Sequence, residues 1–224
     1  MMASSISRVE RSKEQARTNY NRLSRWYDII AGSTEKKYRN LGLTMLNAQP
    51  GERILEIGFG TGHCLVALAT AVSPTGHIDG IDISDSMFAI AEKRIRKADL
   101  SDQVNLRLGD AITLPFEVNT FDAIFMSFTL ELFDTPEIPL VLNQCYNVLR
   151  PGGRIGVVAL VKKPGIAVRM YEWFHGKMPV AVDCRPILAQ SSLIAAGFTI
   201  SDLSTLSMWG LPVEIILAKK ANTP

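Results

Sequence analysis

The sequence predicts an α/β fold, a doubly wound and mostly parallel sheet of seven strands with an antiparallel last strand, and a ligand site at the carboxyl ends of the strands. Three observations point to it. The apolar run Ile54-Leu55-Glu56-Ile57 ends in a turn with glycines at alternate positions, Gly58, Gly60 and Gly62, and a helical pattern follows. Short apolar runs then alternate with helical periods through the middle of the chain, the pattern of βαβ units. The last two apolar runs are joined by too few residues for a helical crossover, which makes them an antiparallel pair.

Residues 1–48 read as a helical arm or lid packed on the core, dense in charge from Ser7 to Arg25, with a helix through Leu41, Leu43, Met45 and Leu46 that ends before Gln49-Pro50-Gly51. Residues 49–224 form the ligand-binding domain. Its first strand is Arg53 to Ile57, followed by a helix from about His63 to Ala71. His77 to Ile83 is the second strand. Asp85 to Lys97 is a helix capped by Ser84, and Val104 to Leu108 and Phe121 to Ser127 are the third and fourth strands. A helix from about Ile138 to Leu149 stops at Arg150-Pro151-Gly152-Gly153, and Arg154 to Leu160 is the fifth strand. An insert at about 162–186 contains helical spacing from Ile166 to Lys177, and a helix from Ile187 to Ala196 ends at Gly197. The closing strands are Thr199 to Leu206 and Val213 to Ala218, connected by Ser207 to Pro212.

The bulk numbers narrow the function. With 47% hydrophobic residues, 224 residues bury one substantial core. A balance of 24 basic against 22 acidic side chains is not the footprint of a nucleic-acid binder. Cys64, Cys145 and Cys184 form no C-x-x-C pair, so neither a zinc site nor a disulfide framework is expected, and no metal enters the reading. The N-terminal stretch lacks a signal-peptide core, and no apolar run approaches the ~18 residues of a membrane span. A cytoplasmic protein, monomer or homodimer, is the expectation.

Glycine at the turn lets a ligand approach the main chain without meeting a Cβ atom, and the helix that follows points unpaired N–H groups at it. The spacing is G-x-G-x-G, not the G-x-G-x-x-G of dinucleotide sites, and Glu56 two residues earlier would repel a pyrophosphate. Such an acid suits a cofactor with an ammonium and a sulfonium. Here the chain resembles the class I S-adenosylmethionine (SAM)-dependent methyltransferases, whose first motif is this acid-x-G-x-G-x-G turn. From Pro50 to Leu160 the likeness includes Gly58, Gly60, Gly62, Asp82, Asp110 and the Pro-Gly-Gly turn. Within that class it is most similar to the group of ubiquinone and menaquinone C-methyltransferases.

The resemblance assigns roles. Asp82 ends the second strand 20 residues after Gly62, where an acid accepts hydrogen bonds from ribose hydroxyls. Leu108-Gly109-Asp110-Ala111 is similar to the family's adenine-contacting turn, with Asp110 accepting from the adenine amino group and Met87 packing on the ring. Phe121 to Ser127 is similar to the fourth motif, which puts the carbonyls of Ser127, Phe128 and Thr129 beside the cofactor's ammonium. Asp122 and the Pro-Gly-Gly turn lie at the far edge and are structural. Tyr20, on the arm, completes the cofactor set.

Methyl transfer is an in-line displacement that needs alignment and exclusion of water. Where the acceptor carries a proton, Glu131, His63 and Tyr27 are the candidate polar groups. Tyr20 and Tyr27 lie seven residues apart on one helical face. Tyr171, Trp173, Phe174, His175 and Met178 in the insert, with Trp209 beyond, suggest an apolar pocket for a quinone-like or lipid-like acceptor. The basic arm would then suit peripheral contact with an anionic membrane. Competing readings are a phospholipid or small-amine N-methyltransferase, an NAD(P)-binding oxidoreductase, and a non-catalytic SAM-binding protein.

Overall fold

The computed structural model describes Thr18 and residues 32–163 and 184–222. Tyr20, Tyr27 and the aromatic cluster from Tyr171 to Met178 lie outside the described residues. The elements are α1 (Gly32–Leu46), β1 (Arg53–Ile57), α2 (His63–Val72), β2 (His77–Asp82), α3 (Asp85–Lys97), β3 (Val104–Leu108), β4 (Phe121–Ser127), α4 (Ile138–Val148), β5 (Leu149–Leu160), α5 (Ala189–Ala195), β6 (Thr199–Met208) and β7 (Leu211–Lys219). They build one seven-stranded sheet in the order β3-β2-β1-β4-β5-β7-β6. All neighbours are parallel except β7, which runs antiparallel to both β5 and β6.

Helices cover both faces, so β4 from Ala123 to Met126 and β5 from Ile155 to Leu160 read as apolar runs. On one face α4 and α5 bury Val141, Leu142, Cys145 and Leu193 against Ile57, Ile124 and Val157. On the other, α1, α2 and α3 bury Leu46, Leu65, Leu68, Ala91 and Ile95 against Ile54, Ile78 and Phe125. Ser84 caps α3 by accepting from the Met87 N–H at 3.2 Å, and Arg94, Arg96 and Lys97 in the last turn complement the helix dipole. The arm helix α1 lies along β4 and β5. A Cβ on Gly42 would collide with Val158 and Phe125. Arg154 fastens the C-terminus of α1, donating to the Leu46 carbonyl at 2.6 Å and the Asn47 carbonyl at 3.0 Å, and pairing with both oxygens of Glu52 at 2.7 Å.

Three stretches differ from expectation by more than one residue. The Pro-Gly-Gly stretch does not separate α4 from β5; it is a bulge inside the strand. Leu149 pairs with Phe121 before the register shifts to Arg154 opposite Ala123. Lys220 satisfies that backbone, its N–H donating to the Gly153 carbonyl and its ammonium to the Leu149 carbonyl. The last hairpin closes on two residues, Trp209 (φ 52°) and Gly210 (φ 82°), the positive-φ pair of a tight hairpin turn. Finally, α5 starts two residues late because Ile187 bridges Val161 in parallel register.

Candidate active site

The order of strands reverses between β1 and β4, and ligands of open α/β sheets bind outside the carboxyl ends at that point. A cleft lies there, lined from four strand ends: Gly58 and Gly60 after β1, Asp82 and Ile83 after β2, Gly109 to Ala111 after β3, and Ser127 to Thr129 after β4.

The glycine turn has two kinds of position. Gly58 (φ 69°) donates to the Ile81 carbonyl at 2.8 Å, and a Cβ here would stand 2.5 Å from the Thr129 hydroxyl. Gly60 (φ 50°) has open space where its Cβ would stand. Its N–H donates to Asp82 Oδ2 at 2.9 Å, while the Ser84 N–H donates to Oδ1 at 2.9 Å. Burial raises the Asp82 pKa above its ordinary value, and the N–H groups of Ser84, Gly60 and Ile83 oppose that shift. Asp110 accepts from the Ile112 N–H at 3.1 Å in a local turn that presents the carboxylate at the cleft.

The fourth side of the cleft is the stretch after β4. Phe128 holds a left-handed backbone (φ 52°) and donates to the Val158 carbonyl at 2.8 Å, and its ring meets Tyr38 of α1 edge to face. Thr129 donates to the Ser127 carbonyl at 3.1 Å. Leu132, Phe133 and Glu137 complete the wall. Among the described lining residues there are three acids, Asp82, Asp110 and Glu137, and no lysine or arginine.

Comparison with known proteins places this geometry in a family. A family model described as a methyltransferase domain matches residues 54–153. A demethylmenaquinone methyltransferase of Oceanobacillus iheyensis is 31% identical over 181 residues, 80% of this chain and 75% of that protein. The chain belongs to the class I SAM-dependent methyltransferases. Its menaquinone-type relatives include the enzyme of the same description from Symbiobacterium thermophilum, 33% identical over 150 residues; that match spans 65% of this chain and 59% of the relative, less than two thirds of its length. The solved structure of the [4+2]-cyclase SpnF shares the fold, with a TM-score of 0.78 at 22% identity, covering 99% of this chain and 100% of that one.

In this methyltransferase the cleft gathers eight of the residues expected from sequence: Gly58, Gly60, Asp82, Asp110, Ala111, Ser127, Phe128 and Thr129. Met87 lines it as well. The other described ones stand apart. Gly62 faces α3, where a Cβ would be 2.9 Å from that of Ala91. Glu56 is buried below the turn, paired with the Cys64 thiol, and burial raises its pKa well above the ordinary value. His63 is exposed on the first turn of α2. Glu131 is fully buried in the short 3₁₀ turn Leu130–Leu132, accepting from the Leu160 N–H at 3.2 Å. Burial pushes its carboxyl up to about 8, with the N–H groups of Glu131 and Leu160 opposing.

Sequence reasoning missed Glu137 and Arg185. The Asp134-x-x-Glu137 spacing before α4 is a capping-box signature, and the Asp134 N–H does donate to Glu137 Oε2 at 3.1 Å. Arg185 carried no signal: a single arginine in an irregular stretch reads as surface, yet its side chain is fully buried.

Proposed function

We propose that this methyltransferase transfers the methyl group of SAM to a small, hydrophobic, quinone-like acceptor. The observation that carries the reading is the convergence of open space at Gly60, the acids Asp82 and Asp110, and the end of β4 at Ser127 on one cleft whose described lining holds no basic residue. That donor and acceptor set fits a nucleoside with an ammonium and a sulfonium, and it opposes a pyrophosphate.

When bound, SAM supplies an electrophilic methyl group on sulfur. The residues that would hold it are Asp82 at the ribose, Asp110 and Met87 at the adenine, and the Ser127 carbonyl at the ammonium, with Tyr20 added by the family resemblance. The chain's own contribution is alignment and the exclusion of water, an effect that can supply about 7–11 kcal/mol. Phe128, Leu132 and Phe133 give the cleft an apolar side suited to a ring-bearing acceptor. Glu131 is fully buried and does not line the cleft, so it is assigned to holding the cleft wall, and no proton transfer is routed through Glu131, His63 or Tyr27. The quinone-like acceptor is supported by the menaquinone-type relatives.

Calorimetric titration with SAM, S-adenosylhomocysteine (SAH) and NADH in parallel tests the cofactor. We expect micromolar binding of the first two and none of NADH; the reverse would overturn the reading. Labelled SAM offered with a reduced naphthoquinone, phosphatidylethanolamine vesicles or small amines then tests the acceptor, and transfer to either of the last two alone would replace the quinone assignment.

A further inference from the structure

The cleft wall formed by residues 129–137 has little regular structure of its own, and a buried guanidinium holds it from behind. Among the described residues, Arg185 is the largest fully buried side chain. Its Nη2 donates to the Phe133 carbonyl at 2.5 Å and its Nη1 to the Thr135 hydroxyl at 3.1 Å. Removing a charge from water costs several kcal/mol unless it is well paired, so an apolar side chain would fill this volume at lower cost. What the arginine provides is a fixed point. Two residues on, the Ile187 N–H donates to the Leu160 carbonyl at 3.0 Å and the Lys162 N–H to the Ile187 carbonyl at 2.9 Å, so the guanidinium is built out from the end of β5. Glu131, on the same wall, accepts from the Leu160 N–H at 3.2 Å. Two side chains therefore tie one turn to one strand end: Glu131 reaches from the wall to β5, and Arg185 reaches from the β5 side to the wall.

We propose that Arg185 is a positioning residue for the reaction, setting Phe133 and its neighbours as the wall against which cofactor and acceptor are aligned. This role rests on the methyltransferase reading. It differs from general core packing in its reach, because Leu132, Phe133 and Glu137 all face the cleft and Arg185 does not line it.

The test compares Arg185→Met and Arg185→Lys in the full chain, by amide hydrogen exchange and by calorimetry with SAH. In Arg185→Met we expect exchange across residues 130–137 to accelerate about tenfold or more while β1 and β4 keep wild-type protection. SAH affinity should fall about tenfold, and Arg185→Lys should recover part of both, since an ammonium replaces one arm of the fork. Faster exchange spread evenly over the sheet, or wild-type SAH affinity in Arg185→Met, would overturn the proposal. If Arg185→Met fails to fold, Thr135→Val removes one bond and leaves the arginine in place; wild-type exchange at Phe133 in that variant would also overturn it. A wild-type protein that binds no SAH would sink the methyltransferase reading itself, whereas equal binding by wild type and Arg185→Met would sink only the role of Arg185.

Discussion

Gly60 donates its backbone N–H to Asp82 Oδ2 at 2.9 Å, joining the turn after β1 to the end of β2 through one carboxylate. The other oxygen accepts from Ser84, the N-cap of α3. The acid assigned to the ribose is therefore also the clamp that shapes the glycine turn, and its backbone donors, Ser84, Gly60 and Ile83, leave part of its acceptor capacity for a ligand.

Asp82→Ala should accordingly lower SAM affinity by about tenfold or more, through both the lost ribose contact and the released turn. Asp82→Asn should fall between, because its amide oxygen retains part of the backbone hydrogen bonding. Calorimetry on both variants, with far-UV circular dichroism to confirm the fold, decides the matter. Wild-type affinity in Asp82→Ala would remove this residue from the cofactor site.

The two cleft glycines should respond differently to alanine. Gly58→Ala meets the Thr129 side chain as well as a positive φ, so it should lower both the melting temperature and SAM affinity. Gly60→Ala meets nothing within 4 Å in the free protein and carries only the left-handed backbone cost of about 1–2 kcal/mol. Its effect should fall chiefly on binding, because the new methyl group occupies space assigned to the ligand. Thermal melts with and without SAM separate the two, and equal stabilisation of Gly60→Ala and wild type by SAM would contradict that assignment.

Where local chemistry decided structure, the sequence could be read nearly residue by residue. β1, β3 and β4 match their expected bounds, and Ser84 caps α3 as its position implied. Where distant partners decided it, reading failed. Pro151-Gly152-Gly153 breaks a helix locally, but Lys220, far along the chain, turns it into a bulge of β5. Glu131 competes with the reading of a solvated loop acid until the end of β5 covers it, and no spacing in the chain announces that Arg185 is drawn into the same interior. The cleft residues from Gly58 to Thr129 were recoverable because they sit at strand ends, which period and topology together locate.

Arg154→Ala should cost about 2–3 kcal/mol of stability, since it removes a bidentate pair with Glu52 and two bonds that cap α1 while leaving Glu52 half without a partner. The pair is only 17% and 16% exposed, so solvent screens it little. Urea unfolding at matched pH measures the difference. A loss below about 0.5 kcal/mol would mean that α1 is held by its apolar face alone.

Glu131 should leave a signature in the pH dependence of stability. Its carboxyl rises from an ordinary 4.5 to about 8 in the folded protein, chiefly through burial, with Glu35 adding to the shift and Arg185 opposing it. Between those values the native state binds the proton that the unfolded chain releases. The resulting stabilisation is complete below the unfolded value and is lost as pH rises through the folded one. Glu35, raised to about 7, and Glu56 act in the same direction, so the wild-type curve alone does not isolate Glu131. Glu131→Gln does, because the amide does not ionise and its oxygen still accepts from the Leu160 N–H. From about pH 5 to pH 8.5 the wild-type melting temperature should fall relative to that of Glu131→Gln; parallel curves would mean that Glu131 carries no proton there. At neutral pH the same substitution should leave SAM binding and turnover near wild type, because Glu131 does not line the cleft and the amide keeps the bond to the Leu160 N–H. A selective loss of turnover with SAM binding unchanged would instead show that Glu131 reaches the reacting groups, and would contradict the structural task of tying the cleft wall to β5.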